Sequence, residues 1–390
     1  MAKSLEKLDG VVLEALASRR RNGAALLLRV KGDKEGRNRV SAAIAIDVSP
    51  SMDGDRIFYA KSGAVRAVDT LENGDGISII GFCKKAWIEY EALIQGEAEK
   101  REAARAVARL RTCYGTNIEG ALKLGIESLS RLTSTGGAGV LLLITDGEPN
   151  VGKRDPDRLA EILRESPYKL LAVGVGLEYN ERLLARLAEK AGGEMRHISD
   201  PSHLEEPLLE EVAKAARLVA SKLTLKIKAS KPGLKVYGWK AASNRGYTVL
   251  NLGSLSSGEV IDVGLELNGG PLEVEVEYID PSTGSQRRFG PIRIATDTRD
   301  RDEYVEYRLR ILKALDEAER AVEKKDYKKV YEIINEVSEA TLSLGDMRLY
   351  EETVDIAELL RSGEAGEAAK RLYSARFRAR RGEEGGEAKA

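Results

Sequence analysis

The sequence has 390 residues, which is too long for one ordinary hydrophobic core and predicts two or three domains. It carries 62 Lys and Arg residues against 63 Asp and Glu residues, for a net charge of −1. This balance argues against a nucleic acid or an anionic membrane as the binding partner. Lys, Arg and Glu are abundant and Gln is almost absent, a composition that resembles that of thermophile proteins.

The sequence also bears on the compartment. The amino terminus lacks the apolar segment of a signal peptide, and no stretch reaches the ~18 apolar residues of a membrane helix. We therefore expect a cytoplasmic protein that does not cross a membrane. Cys83 and Cys113 lie in or beside apolar runs, and in the cytosol two packed, reduced thiols are favoured over a disulfide. The alternative for Cys113 is a redox-sensitive thiol.

The order of predicted elements begins with two strands, at residues 11–18 and 24–30, joined by the turn signal Asn22-Gly23. Strands and helices then alternate over residues 39–200. Alternation of this kind predicts an α/β fold, Rossmann-like, with a mainly parallel sheet covered on both faces.

Strands alone follow over residues 220–296, separated by Gly and Pro turns, which predicts a small antiparallel β-sandwich. The two early strands have no partner nearby and are expected to join this sandwich, so that the α/β domain is inserted in it. Residues 302–380 have helical periodicity and predict a helical bundle.

The resulting domain assignment follows the changes in pattern along the chain. It comprises N-terminal strands of the sandwich (1–38), the α/β domain (39–203), a linker helix with the sandwich (204–298), a C-terminal helical domain (299–381) and a disordered tail (382–390).

A group of oxygen-bearing residues is predicted to gather at one rim of the parallel sheet. Asp47, Ser49 and Ser51 follow a short apolar strand, Thr116 opens a helix after Gly115, and Asp146 ends the most apolar strand of the domain. Strand ends and helix starts of this kind meet at the carboxyl rim of an open sheet, where ligands bind.

The chemistry of these donors points to a hard cation. Carboxylates and hydroxyls without imidazole or thiol suit Mg²⁺, Mn²⁺ or Ca²⁺ rather than zinc or copper, and we expect Mg²⁺, or Mn²⁺. The alternative for Asp47, Ser49 and Ser51 is a helix cap or a hydrogen-bonded turn, since Asp and Ser favour both.

The pattern Asp47-x-Ser49-x-Ser51, then Gly-Thr116, then Thr-Asp146-Gly resembles the metal-ion-dependent adhesion site (MIDAS) of von Willebrand factor A (VWA) domains. This resemblance implies that the hydroxyls coordinate the cation directly and that the carboxylates often act through water. It also implies a protein-interaction module, in which an acidic residue of a partner completes the coordination, and not an enzyme.

The overall layout resembles that of Sec23/Sec24-like proteins and of crenarchaeal, hence archaeal, VWA regulators of archaellum expression. The second resemblance implies phosphorylation and a partner with a forkhead-associated (FHA) domain. Hydroxyl side chains of the helical region are the candidate phosphorylation sites, with ordinary surface residues as the alternative: Ser338, Thr341, Ser343, Thr353, Ser362 and Ser374.

Other functions remain open at this point. One alternative is an adaptor for a MoxR-type AAA+ ATPase, which would be a separate chain because no P-loop motif is present. A metal-dependent hydrolase would need a base beside the cation; both histidines are distant in sequence, and Glu148 is the candidate. The arginine run at residues 371–381 suggests a nucleic-acid or phosphate contact or, alternatively, a solvated helix face.

Overall fold

The computed structural model describes residues 2–134 and 136–383. The described chain divides into two compact units, one of which holds Glu35–Ser221 and Asp280–Ser285, while the other holds the remaining described residues.

The strands have these bounds: β1 (Ala2–Leu8), β2 (Val11–Arg20), β3 (Gly23–Gly32), β4 (Val40–Asp47), β5 (Gly76–Phe82), β6 (Ala86–Leu93), β7 (Ala138–Thr145), β8 (Lys169–Val175), β9 (Glu194–Ile198), β10 (Leu218–Ala229), β11 (Lys235–Tyr237), β12 (Ala241–Asn244), β13 (Tyr247–Ser256), β14 (Glu259–Leu267), β15 (Leu272–Ile279), β16 (Gln286–Ile294) and β17 (Arg381–Glu383). The helices have these bounds: α1 (Asp55–Asp69), α2 (Glu97–Arg109), α3 (Ile118–Leu132), α4 (Pro156–Ala160), α5 (Glu181–Ala191), α6 (Glu205–Ala216), α7 (Glu303–Glu323), α8 (Tyr327–Leu344), α9 (Met347–Ser362) and α10 (Ala365–Ala379).

The α/β unit is built on a sheet with the order β6-β5-β4-β7-β8-β9. Strands β5, β4, β7, β8 and β9 run parallel, and β6 is antiparallel to β5. Every residue of β4 and β7 is buried, as expected of central strands covered on both faces. The predicted α/β fold is therefore confirmed.

Alternate side chains of β4 point to opposite faces of this sheet. Val40, Ala42, Ile44 and Ile46 pack in one hydrophobic cluster with the apolar faces of α1, α2 and α6. Helix α3 packs closely on the sheet through Gly125, because a side chain at this position would lie 2.5 Å from a methyl group of Leu141.

The second unit contains two antiparallel sheets, with the orders β1-β2-β3-β14-β11 and β12-β13-β10-β15-β16; β17 also pairs with β14. Strand β3 pairs with β14 along its length, so the early strands do join strands that follow the α/β unit. The expected insertion of the α/β unit between them is confirmed.

The carboxyl-terminal region is helical as predicted, and Asp302, Asp326 and Asp346 cap α7, α8 and α9 with their side chains. Among the described residues, no helix is long and apolar enough to cross a membrane. Of the tail predicted to be disordered, residues 384–390 lie outside the described residues, and the residues before them belong to β17.

The arginine run is not a solvated face, and that prediction is wrong for its buried members. Arg376, Arg380 and Arg381 are at most 9% exposed. Arg376 pairs with acidic residues of α7, Arg380 stacks on an indole ring, and Arg381 pairs with Glu259. Because these guanidinium groups face the interior, they are not available to a phosphate either.

The two cysteines form a disulfide, so the prediction of two reduced thiols is wrong. Cys83 follows the end of β5 and Cys113 lies in the segment before α3. The parallel sheet brings these two loops together at its carboxyl rim. The sequence does not show this contact, because the two cysteines are 30 positions apart.

Candidate metal centre

The register of the central strands sets the positions of the two carboxylates. Ile46 of β4 is paired with Ile144 of β7, so Asp47 and Asp146 leave neighbouring strands at the same rim. Both side chains are fully buried. Asp47 Oδ2 accepts a hydrogen bond of 2.6 Å from the Thr145 hydroxyl.

The loop after β4 folds back on its own first residue. The Ser49 backbone N–H donates to Asp47 Oδ1 at 2.8 Å, which is a local Asp turn. The Ser49 and Ser51 hydroxyls lie 3.0 Å apart, and Ser51 donates to Asp146 Oδ1 at 2.8 Å. A chain of polar contacts thus links both carboxylates through the two serines.

The Thr116 hydroxyl lies near the Ser51 hydroxyl, beside Gly147. Gly115 before it has a φ of 96°, a conformation that L side chains rarely adopt. The Thr116 N–H donates to the Asn150 side chain at 2.8 Å, and Asn117 caps α3. A Cβ built on Gly147 would lie 3.7 Å from Thr116 Oγ1 and 3.9 Å from Ser51 Oγ. The structure therefore brings the five sequence-predicted residues together.

The electrostatics of this cluster fit a cation. Burial raises the pKa of Asp47 to about 6, with a smaller contribution from the neighbouring Asp146 charge; hydrogen bonds from Thr145 and Ser49 act in the opposite direction. An ionised carboxylate is thus costly here unless positive charge lies beside it. Among the described residues, no group of three or more His, Cys, Asp or Glu side chains is placed to hold a metal ion, so a cation here would depend on the hydroxyls.

Arg56 is a site residue that the sequence analysis missed. It lies in the first turn of α1, and its Nη1 donates to Asp146 Oδ2 at 2.5 Å and to the Ser51 carbonyl at 3.2 Å. The position of Arg56 at the start of a helix could have pointed to it. A basic residue there opposes the helix dipole and requires a compensating partner.

Two further residues position the cluster without belonging to the predicted set. Thr145 donates to Asp47, and Asn150 accepts from the backbone of Thr116. Both belong to or follow β7, next to Asp146. The sequence could have pointed to Thr145 and Asn150, because both are polar residues close to the predicted ligand Asp146 at a strand end.

A polar cleft of about 530 Å³ opens beside the cluster. Its lining comprises Ser51, Thr116, Asp146, Gly147, Glu148, Pro149, Asn150, Arg154, Glu178 and Asn180. The neighbouring His197 is engaged by the Tyr179 hydroxyl at 2.8 Å, and no histidine lines this cleft. Glu148 is the exposed carboxylate that follows the cluster directly.

This fold and rim define a known class of domain. Residues 43–214 match the von Willebrand factor type A domain model. The chain thus contains a VWA domain, as the sequence motif suggested. VWA domains typically mediate protein–protein interactions, are mostly not enzymes and often bind a divalent metal ion.

Relatives agree with this assignment. Mouse inter alpha-trypsin inhibitor heavy chain 4 is 31% identical over 166 residues, which are 40% of this chain and 18% of the mouse protein. This chain therefore matches less than a fifth of the length of that relative.

Solved structures share a larger part of the fold. The ArnB paralog VWA2 of Sulfolobus acidocaldarius has a TM-score of 0.68 at 20% identity, with 97% of this chain and 98% of that chain covered. A VWA protein of Catenulispora acidiphila gives 0.68 at 17% identity, with 90% and 91% covered. Human Sec24c gives 0.54 at 12% identity, with 88% and 57% covered. At these identities the likeness describes the fold.

Proposed function

We propose that this chain is a metal-dependent protein-interaction module that acts as a scaffold or regulator. In this proposal, Asp47, Ser49, Ser51, Thr116 and Asp146 hold Mg²⁺, or Mn²⁺, as a MIDAS, and an acidic residue of a protein partner completes the coordination. The observation that carries the proposal is the convergence of three hydroxyls and two buried carboxylates beside an open polar cleft.

The donor chemistry supports binding of an acidic group. Hydroxyls are neutral, so the donors on this chain offset the divalent charge only through Asp47 and Asp146, and Arg56 already engages Asp146. A bound divalent cation supplies attraction for an external carboxylate. The donors lie at or just after the ends of β4 and β7 and just before α3, and the cleft beside them gives the carboxylate access.

Hydrolysis has weaker support than binding. A metal-dependent hydrolase needs a base or nucleophile held beside the cation. His197 is engaged by Tyr179, and Glu148, the base candidate, is an exposed loop residue. Turnover of phosphate or ester substrates that Mn²⁺ supports and Asp47→Ala abolishes would establish the hydrolase instead.

The test is partner capture from native extract with and without EDTA. We expect wild-type protein to retain a partner in Mg²⁺ and to lose it in EDTA, and Asp47→Ala to capture none in either condition. Asp53→Ala is the matched control, because it removes an exposed carboxylate from the same loop. Capture that ignores both EDTA and Asp47→Ala would contradict the proposal.

An FHA-domain partner is a narrower form of the proposal and would require an accessible phosphothreonine. Thr341 and Thr353 are fully buried, and Thr353 accepts a hydrogen bond from Ser338. A phosphate on either threonine would therefore require the helices to open. Of the candidate hydroxyls in this region, Ser343 and Ser362 are exposed. A partner that reads phosphothreonine thus has little support from these positions.

An AAA+ ATPase is the other candidate partner. The captured fraction identifies it directly, since a cognate ATPase would copurify and its activity would rise with this chain.

For the compartment, we propose the cytoplasm of a thermophile. A disulfide is compatible with this compartment, because intracellular proteins of hyperthermophiles do contain disulfides. The Gln-poor, charge-rich composition supports this proposal.

A further inference from the structure

The Cys83–Cys113 disulfide lies within the framework that holds the Thr116 hydroxyl. Cys83 is joined to Phe82, which is paired with Asp47 across β4 and β5. Cys113 lies three residues before Thr116. The disulfide is therefore a covalent link between the strand beside Asp47 and the segment that carries another predicted ligand.

Backbone hydrogen bonds extend this link. The Cys113 N–H donates to the carbonyl of Val48, which lies between Asp47 and Ser49, at 2.8 Å. The Asn117 N–H donates to the Cys83 carbonyl at 2.8 Å, and the Lys84 N–H donates to the Tyr114 carbonyl at 2.8 Å. Residues on both sides of Thr116 are thus tied to the two loops that the disulfide joins.

The two sulfur-bearing residues differ in exposure. Cys83 is 5% exposed, whereas Cys113 is half-buried and is followed by Tyr114, which is 84% exposed. Of the two residues, Cys113 is the more exposed, so this side of the disulfide is the one favoured for approach by an external thiol.

We propose that Cys83–Cys113 is a thiol–disulfide exchange site that sets the cation affinity of the neighbouring oxygen cluster. This inference rests on the proposed function, because it needs the cluster to bind a divalent cation. The oxidised protein is the high-affinity form, and the reduced protein is the low-affinity form.

The exchange needs a small dithiol as co-reactant. One dithiol thiolate attacks the Cys113 sulfur, a mixed disulfide forms, and the Cys83 sulfur leaves as a thiolate that takes up a proton. The second dithiol sulfur then attacks the mixed disulfide and releases Cys113 as a thiol. Two electrons and two protons pass to the protein, and the dithiol becomes a disulfide; oxidation runs in reverse.

The affinity changes because reduction frees one ligand segment from the others. Without the covalent link, the segment before α3 is held to the rim by hydrogen bonds alone, and Thr116 occupies its ligand position for a smaller fraction of the time. The apparent affinity falls by that fraction. Asp47, Ser49, Ser51 and Asp146 keep their mutual contacts, so binding weakens without being abolished.

The test measures Mn²⁺ affinity of the full chain by electron paramagnetic resonance, before and after reduction with a dithiol. Thiol alkylation and mass measurement establish the state of the two cysteines. We expect about tenfold weaker binding after reduction, and the Cys83→Ser, Cys113→Ser double variant should match the reduced form and ignore the dithiol. Circular dichroism shows whether the reduced protein stays folded.

The outcomes separate this inference from the proposed function. Equal Mn²⁺ affinity in both redox states overturns the exchange site and leaves the metal-dependent module standing. Unfolding upon reduction also overturns it, because the disulfide then acts only as a structural link. Absence of Mn²⁺ binding in both states, with the same result for Asp47→Ala, overturns the proposed function together with this inference.

Discussion

Asp146 is the residue for which Arg56 and the proposed cation would compete. Its carboxylate accepts from Arg56 in the present structure, and the proposed cation would carry a double positive charge at the same place. Ser51 contacts both members of the Arg56–Asp146 ion pair, since its hydroxyl donates to Asp146 and its carbonyl accepts from Arg56. Arg56 therefore stabilises the Asp146 carboxylate and would oppose binding of the proposed cation.

Replacing Arg56 should strengthen cation binding. We expect Arg56→Gln to raise Mn²⁺ affinity about fivefold, the equivalent of an ion pair of about 1 kcal/mol. Titration of Mn²⁺ into both proteins checks this. Arg66→Gln is the control, because it removes an exposed arginine from the last turn of the same helix. A lower affinity in Arg56→Gln would show that Arg56 supports the site.

Glu119, which accepts a hydrogen bond from the loop after Asp146, should make the stability of the protein depend on pH. Hydrogen bonds from Lys123 and from the Lys153 backbone lower its pKa to about 2. A carboxyl group with a lowered folded pKa contributes stability above its unfolded value of 4.5, and this contribution is lost as the pH falls towards 2. We expect Glu119→Gln to destabilise the protein at pH 7 but not near pH 2. Denaturant unfolding of both proteins across this range tests the difference, and a constant difference would contradict it.

At the scale of elements, strand β17 and helix α10 are held by arginines with different surroundings. Arg381 donates to the Ser254 carbonyl, the Leu252 carbonyl and Glu259 at 2.6–2.8 Å, and its side chain is 4% exposed. Arg371 pairs with Asp355 and Glu367 at the surface of α10. The sequence presents both as members of one basic run.

Replacement of Arg381 and of Arg371 should lower the free energy of unfolding by different amounts. Arg381→Met leaves the Glu259 carboxylate without this guanidinium in a buried place, and we expect it to cost about 3–5 kcal/mol of unfolding free energy. Arg371→Met removes two ion pairs of a half-buried arginine, and we expect it to cost less, about 1 kcal/mol. Urea unfolding of the two variants provides the comparison. Equal costs would mean that Arg381 is not buried in solution.

The elements differ in how far the sequence predicts them. Strands β5 and β8 lie within residues 39–200, where alternating strands and helices were predicted, and each is a short apolar run between turn residues. Strand β12 was missed because all of its side chains are exposed, and β1 because charged residues interrupt its pattern. Their pairing with β13 and β2 comes from tertiary structure.

The residues of the site also differ in how far the sequence predicts them. Asp47, Ser49, Ser51, Thr116 and Asp146 could be grouped because strand ends of a parallel sheet meet at one rim. Arg56 could not be assigned to Asp146, since 90 residues separate them and an ion pair leaves no local pattern. The disulfide and the buried arginines were missed for the same reason, because their partners are distant in sequence.

At the scale of the molecule, the α/β unit begins and ends at one place. The Asn38 N–H donates to the Ala216 carbonyl at 2.7 Å, and the Asn38 side chain donates to the Leu218 carbonyl at 2.6 Å. Both ends of the unit are therefore tied to each other by its own hydrogen bonds. A unit closed in this way carries the main structural requirement for independent folding.

We expect residues 35–221, expressed alone, to fold and to bind Mn²⁺ as the full chain does. The reason is that the proposed ligands and their supporting residues all lie within this range. Thermal unfolding followed by circular dichroism, together with Mn²⁺ titration, provides the check. A fragment that folds but binds no Mn²⁺, beside a full chain that binds it, would show that the rest of the chain contributes to the site.

The pairing of β3 with β14 has a consequence for synthesis on the ribosome. Leu28 is paired with Val263, so the β3 edge emerges long before its neighbour does. Strand β3 is rich in Ala and Leu, and an apolar strand edge without a neighbour favours pairing with other chains. The α/β unit is translated during this interval and can fold first. The β3 edge of the nascent chain therefore stays open to pairing with other chains until β14 is made.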